Sequence, residues 1–220
     1  MPEIGFGITA NSKYRLVVFD FDGTLSNSFP WFLQAMNRAA AKFHFRPVEP
    51  HEVEAVRGLG TRQILAFLQL AAWKVPFVAR FMRREMAAAV SDIRLFEGVD
   101  EMLAALTEQG IDVAILSSNS EYNVHCVLGR TNKARVKYFE CGVSAFGKRK
   151  RLRKLLKTAR VRAGDALYVG DEVRDAEAAH AEEIAFVGVS WGYSAAGALQ
   201  PLSGGPLLSR MSDLVDLLRR

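Results

Sequence analysis

The sequence predicts an α/β fold, a doubly wound three-layer sandwich around a parallel central sheet, with an all-helical segment inserted after the first strand. Three observations predict it. Short apolar runs alternate with amphipathic helical stretches over most of the chain, which implies right-handed crossovers and a parallel sheet covered on both faces. Two of those runs lead into acidic residues, Phe19 directly into Asp20 and Val169 through Gly170 into Asp171, at the strand ends where open α/β sheets place their chemistry. One stretch, residues 26–95, shows several helical patterns and no convincing strand, is too long for a crossover, and needs its own small core.

In chain order, Leu16 to Phe19 is the first strand candidate, followed by the sharp turn Asp20-Phe21-Asp22-Gly23-Thr24-Leu25. Helical patterns then cover Trp31 to Phe43, Glu49 to Val56, Thr61 to Leu70 and Pro76 to Ser91. Beyond residue 96 the alternation is regular. Strands are expected at Asp112 to Ser117, Tyr138 to Val143, Ala166 to Val169 and Ala185 to Val189, and helices at Val99 to Gln109, Glu121 to Leu128, Gly147 to Thr158 and Val173 to Ala181. A weak strand near Leu207 to Ser209 and a helix from Ser212 to Leu218 are expected to close the sheet edge. The expected division is a core of residues 1–25 and 96–220 and an insertion of residues 26–95.

Half of the 220 residues are hydrophobic, enough for a substantial core in one ordinary domain plus an insertion. Met1 to Ser12 lack a basic start followed by an apolar stretch, and no apolar run approaches the ~20 residues of a membrane helix. A soluble, cytoplasmic protein without membrane partners is expected. Cys126 and Cys141 form no Cys-x-x-Cys unit and are read as buried free thiols; His44, His51, His125 and His180 show no ligand spacing. Much of the +5 net charge sits in Lys148 to Arg162. Leu152, Leu155, Leu156 and Ala159 recur at helical spacing within it and no aromatic residues interleave, so a solvated helix face is expected rather than a nucleic-acid partner.

The turn after the first strand carries two carboxylates two positions apart. One can attack as a nucleophile while the other, not equally ionised at close range, trades protons. Asp, Gly and Thr are also ordinary turn residues, so the companions matter. Ile111 to Leu116 ends in Ser117-Ser118-Asn119, Lys148 heads a helical stretch, and Leu167-Tyr168-Val169 runs into Gly170-Asp171-Glu172-Val173-Arg174-Asp175. In that order these four stations resemble the signatures of the haloacid dehalogenase superfamily, over Arg15 to about Trp191, and the pattern is similar to its phosphoglycolate phosphatase-like branch with a helical cap.

The resemblance implies a phosphohydrolase with a Rossmann-like core. Asp20 would be the nucleophile that becomes an aspartyl phosphate, and Asp22 would protonate the leaving alcohol and later deprotonate water. Mg²⁺ would be held by Asp20, the backbone carbonyl of Asp22 and Asp171, with Asp175 secondary or water-mediated. Lys148 would sit between Asp20 and a phosphate oxygen, and the Ser117 hydroxyl and Ser118 amide would contact others. Thr24 and Asn119 join the substrate-binding candidates. Local alternatives exist: Lys148 as part of the basic face, Ser117 as a helix cap with Ser118 or Asn119 able to take that role instead, and Asp175 as an acid favoured at a helix start. Asn27-Ser28 departs from the Asp-Ser often found at the hinge in relatives. An acid at position 22 favours phosphate esters over halides, whose departure needs no proton.

Substrate identity falls to the insertion, which by the resemblance is the cap. In Arg57-Gly58-Leu59-Gly60-Thr61-Arg62 the glycines would let backbone approach a ligand, and Arg57 or Arg62 could bind an anionic group; a helix-breaking loop with surface arginines is the alternative. Trp31 and Trp191-Gly192-Tyr193 could line the mouth. The expected function is Mg²⁺-dependent hydrolysis of a small phosphate monoester, phosphoglycolate or a related anionic metabolite. The alternatives are a phosphomutase with the same chemistry or a silent phosphometabolite-binding protein.

Overall fold

The computed structural model describes residues 13–144 and 147–219. Met1 to Ser12, read above for a targeting segment, lie outside the described residues. Strand β1 (Leu16–Phe19) is followed by helices α1 (Phe29–Phe43), α2 (Val53–Arg57), α3 (Thr61–Phe67) and α4 (Val75–Ala89). After α5 (Val99–Glu108) come β2 (Asp112–Leu116), α6 (Glu121–Arg135), β3 (Tyr138–Glu140), α7 (Lys148–Ala159), β4 (Ala166–Gly170), α8 (Val173–His180), β5 (Ala185–Gly188), α9 (Ala196–Leu199) and α10 (Met211–Leu218).

The strands form one sheet in the order β3-β2-β1-β4-β5, and every pairing is parallel. Phe19 stands level with Ile115 on one side and Val169 on the other. Alternation along each strand sends side chains to two layers. Val17, Phe19, Val113, Ile115, Leu167 and Val169 pack with residues of α5, α6 and α10. Leu16, Val18, Ala114, Leu116, Ala166 and Tyr168 pack with residues of α7 and α8. That is the doubly wound three-layer sandwich. The order reverses at β1, between β2 and β4, and a crevice at that reversal is where such folds bind ligands.

Two strand expectations are corrected. β3 stops at Glu140 because Gly142, at φ +68, turns the chain toward the loop after β2, where Gly142 N–H donates to Asn119 O and Val143 N–H to Ser117 O. Leu207 to Ser209 is not a strand but a single parallel bridge between Val189 and Leu208. Pro206 offers no N–H before it, and Ser209 N–H is taken by Asp213 at the start of α10.

The insertion builds its own core. Ala35, Ala39, Ala40, Val78 and Met82 pack with Phe45, Val48, Leu68 and Leu70, each larger fully buried apolar side chain contributing about 1.5–3 kcal/mol. The insertion leaves and returns at one place: Ser26 bridges antiparallel to Leu95, Asn27 N–H donates to Arg94 O, and Phe96 N–H donates to Leu25 O. This double crossing hangs the four helices over the carboxyl end of β1. Among the described residues no single helix is long and apolar enough to cross a membrane; Thr61–Phe67 with Ala72–Asp92 passes only as a pair bent by 104°.

The basic stretch lies on α7 with Leu152 and Leu155 buried beneath. Arg149 and Arg153 pair with Glu182, and Arg151 and Lys154 pair with Glu140. Both cysteines were expected to be buried, but Cys126 is exposed and Cys141 only half-buried; that burial pushes the Cys141 thiol up to about 12.

Candidate active site

Asp20 follows β1 directly, and its N–H donates to Val169 O at 3.0 Å, which ties it to the neighbouring strand β4. The chain then reverses: Leu25 and Ser26 N–H both donate to Phe21 O, and Gly23 adopts φ +81, a conformation glycine takes at no steric cost. A Cβ at Gly23 would also collide with Asp171, whose Cγ lies 2.9 Å away. Gly192 presses on Asp171 from the other side, with Cγ 2.6 Å from where its Cβ would be. Two glycines thus let two loops close on one carboxylate.

That carboxylate is fully buried and held at both oxygens. Thr24 Oγ1 donates to Asp171 Oδ1 at 2.6 Å, and Tyr193 N–H donates to Oδ2 at 2.7 Å. Thr24, a substrate-binding candidate from sequence, is therefore spent on Asp171. Asp175, in the first turn of α8, accepts from Glu172 N–H at 3.0 Å and Tyr168 Oη at 3.1 Å, so it serves the helix start as well as the site. Lys148, at the head of α7 and 3 % exposed, donates to Asp20 Oδ2 at 2.7 Å and also contacts Asp175 Oδ1. The lysine is no part of the solvated basic face.

Asp22 is oriented by a separate network. Asn119 Nδ2 donates to Asp22 Oδ2 and Ser28 Oγ to Oδ1, both at 2.9 Å. Because the one Ser28 proton points at Asp22, the 2.9 Å contact between Ser28 Oγ and Tyr193 Oη is donated by the tyrosine. Asn119 is fixed in turn, its Oδ1 accepting from Ser120 N–H and Asn123 Nδ2 at 2.8 Å. Ser117 is buried at the end of β2 and its Oγ accepts from Asn119 N–H at 3.0 Å, which leaves its own proton to donate. The cap of α6 is Ser120, whose Oγ accepts from Asn123 N–H, rather than Ser117, Ser118 or Asn119.

Asp20, Asp22, Ser118 and Asn119 line a cavity of about 360 Å³ between the sheet end and the helical insertion. Its insertion wall includes Trp31, Phe32, Ile64, Leu65, Met82 and Arg83, and Glu172, Arg174 and Tyr193 border it from the core. Arg57 lies outside this cavity: its Nε donates to Tyr193 O at 3.0 Å, Nη2 to Gly192 O at 2.8 Å and Nη1 to Glu54 at 2.7 Å. It clamps the insertion onto the loop behind Asp171. Arg62 is exposed and lines none of the described cavities. Of the tripeptide expected at the mouth, Tyr193 reaches it, while Trp191 packs on Phe96 and donates to Thr24 O behind the turn. Sequence pointed to Ser28 only as part of the hinge, and to Asn123 and Arg83 not at all. Ser and Asn at helix starts read as caps, and Arg83 beside Arg84 reads as a solvated face.

Burial raises the Asp20 carboxyl above its usual range, an effect Lys148 partly offsets. Burial raises Asp22 as well, against the hydrogen bonds from Ser28 and Asn119. Asp171 is pushed up strongly by burial and by the nearby charges of Glu172 and Asp20. For Lys148 burial acts downward, but Asp175 and Asp20 outweigh it and hold the ammonium charged. The site has more carboxylates than cations, so full ionisation requires another positive charge. One carboxylate oxygen each from Asp20, Asp171 and Asp175 lie within 4.8 Å of one another, and such a hard oxygen set can hold a divalent cation. Asp175 already accepts from Lys148, Tyr168 and Glu172 N–H, so Asp20 and Asp171 have the more available lone pairs.

Comparisons with known proteins identify the family and match the fold. A family model described as haloacid dehalogenase-like hydrolase matches residues 17–189. A phosphoglycolate phosphatase of Synechococcus elongatus is 30% identical over 203 residues, covering 92% of this chain and 96% of the relative. Among solved structures, a haloacid dehalogenase-like hydrolase from Streptococcus pneumoniae shares the fold with TM-score 0.76 and 15% identity, covering 93% of this chain and 98% of that one. CbbY from Rhodobacter sphaeroides, solved with xylulose-(1,5)bisphosphate, does so with TM-score 0.71 and 19% identity, covering 91% and 96%. With paired aspartates, a bridging lysine and an acidic cluster at the sheet's reversal point, the chain belongs to the haloacid dehalogenase-like hydrolase family as an enzyme of its phosphatase kind.

Proposed function

We propose that the protein is a Mg²⁺-dependent phosphatase that hydrolyses a small phosphate monoester through an aspartyl phosphate on Asp20, with phosphoglycolate the first substrate to test. The observation that carries this reading is Lys148 bridging Asp20 and Asp175 beside Asp171 in a buried acidic cluster. Asp20 Oδ1 is the oxygen not engaged by Lys148 and is the attacking atom. Phosphoryl transfer asks for positioning and charge neutralisation more than for a strong nucleophile, and Lys148 supplies both at a fixed distance. Ser117 donates its free proton to a phosphate oxygen, with the Ser118 amide beside it.

Asp22 is the acid and base. Burial favours its protonated form, which can give a proton to the leaving alcohol, and the Ser28 and Asn119 hydrogen bonds keep the resulting carboxylate oriented toward water in the second step. Asp20 and Asp171 would hold Mg²⁺ together with the Asp22 carbonyl, with Asp175 bearing on them through Lys148. When bound, the ion supplies charge neutralisation between the Asp20 carboxylate and the phosphate dianion. The relatives named phosphoglycolate phosphatase support the substrate, and a small-metabolite substrate fits the cytoplasmic setting read from sequence. The core of residues 1–25 and 96–220 carries the chemistry in this reading, and residues 26–95 select the substrate. The test is phosphate release from a panel containing phosphoglycolate, sugar phosphates and nucleotides, with Mg²⁺, with chelator, and with Mg²⁺ restored. Release with Mg²⁺, loss on chelation and recovery are expected; undiminished release after rigorous metal removal would contradict the mechanism.

A further inference from the structure

Cations around the phosphate site are almost all committed. Lys148 is matched by Asp20 and Asp175, Arg174 pairs with Glu172, and Arg57 is spent on two carbonyls and Glu54. Arg83 differs. It lines the same cavity as Asp20 and Asp22, and among the described residues it has no acidic partner.

Its place follows from helix geometry. Pro76, Ala79, Arg83 and Met86 recur at three- and four-residue steps along α4 and all line the cavity, so they form one face turned to the catalytic carboxylates. That part of α4 is pinned to the core from two sides: Asn123 Nδ2 donates to Arg83 O at 2.9 Å, and Asn119 Nδ2 contacts Met86 Sδ at 2.7 Å. Arg83 Nη1 donates to Ser118 O at 3.1 Å, which sets the guanidinium beside the loop expected to hold the phosphate. Nε and Nη2 have no partner among the described residues.

The remaining insertion wall is mostly apolar, with Trp31, Phe32, Ile64, Leu65 and Met82, and its polar groups are Thr61 and the Trp31 Nε1–H, which is unpartnered among the described residues. Several sugar hydroxyls buried against it would lose water and find only these two groups to replace it. A second phosphate dianion would bring two negative charges to one guanidinium beside Glu172 and the aspartates. A carboxylate brings one, and its planar pair of oxygens matches the guanidinium fork. We propose that Arg83 determines specificity at this site by binding a carboxylate on the alcohol half of the substrate, so that short phosphorylated acids are preferred over sugar bisphosphates. This rests on the phosphatase reading and adds the residue and the charge that choose the substrate.

The test compares wild type, Arg83→Gln and Arg83→Lys on phosphoglycolate, 2-hydroxyethyl phosphate, a neutral aryl phosphate and a sugar bisphosphate, all with Mg²⁺. Arg83→Gln is expected to lower kcat/KM for phosphoglycolate roughly 10- to 100-fold, about what a hydrogen bond to a charged group is worth. The three esters without a carboxylate should change little, Arg83→Lys should fall between, and added guanidinium should restore part of the loss. Equal losses on all esters, or a wild type that prefers the bisphosphate, would overturn the assignment while leaving the phosphatase reading in place. No phosphate release by wild type from any ester would remove both.

Discussion

Lys148 Nζ lies 2.7 Å from Asp20 Oδ2 although 128 residues separate the two, and neither side chain is more than 3% exposed. Asp175 closes the group on the other side of the ammonium. Desolvating three charges in this way costs more than a surface pair ever returns, so the arrangement is a poor stability device. It does hold the carboxylate proposed as the nucleophile beside a fixed positive charge. The costly burial therefore points to function.

Replacing Lys148 by Met separates these contributions. Without the ammonium, phosphate release is expected to fall roughly 10²- to 10³-fold, the usual effect of removing one preorganised charge donor. The metal-free variant should also be destabilised by about 3–5 kcal/mol, since buried carboxylates lose their partner. Saturating Mg²⁺ should recover part of the lost Tm by binding the folded state alone. Thermal melts with and without Mg²⁺ check this, and an unchanged metal-free Tm would show that Lys148 is not part of the buried ion group.

Gly192→Ala tests the clasp on Asp171. The added methyl meets the Asp171 side chain, with Cγ 2.6 Å from the new Cβ, and no flexible side-chain end is available to yield. Asp171 must move, so the Mg²⁺ concentration for half-maximal activity should rise well above the wild-type value. Ala at Gly197, where a Cβ meets nothing within 4 Å, is the control and should behave as wild type.

Glu182 and Asp213 predict the acid side of the stability curve. Hydrogen bonds from Arg153 and Arg149 hold the Glu182 carboxyl down to about 2, and those from Ser209 and Arg210 hold Asp213 down to about 2. Both lie below unfolded values of about 4.3 and 3.9, so their contribution is complete above about pH 5 and is lost as pH falls toward 2. A Glu182→Gln variant should melt below wild type at pH 6, and the gap should close between pH 5 and 2. A gap that widens on acidification would contradict the sign.

Most strands and the acidic stations were legible because each rests on a local pattern, an apolar run of strand length followed by a turn or an acid, repeated in order along the chain. Asp20, Lys148 and Asp171 meet because parallel strands order their carboxyl ends, which alternation alone implies. Distances between loops from different parts of the chain were not legible. Arg57 stands just before Gly58 and Gly60, as a ligand-binding residue would, yet its guanidinium is claimed by the carbonyls of Gly192 and Tyr193, 135 and 136 residues away. Thr24 was read as facing substrate, yet its hydroxyl serves Asp171. Arg83 carried no signal, since an Arg-Arg pair on a helix looks solvated until the docking of α4 turns one of them inward.

The most direct test of the account is the fate of the phosphoryl group on Asp20. Reaction with phosphoglycolate and Mg²⁺, quenched in acid within one turnover and followed by peptide mass analysis, should show one phosphoryl group on the peptide containing Asp20. Asp22→Asn should slow turnover by roughly 10²- to 10⁴-fold, the usual contribution of a positioned acid or base, and the Asp20→Asn protein should carry no label and release no phosphate. Near-normal phosphate release by Asp20→Asn, or a phosphoryl group on another residue, would contradict Asp20 as the nucleophile.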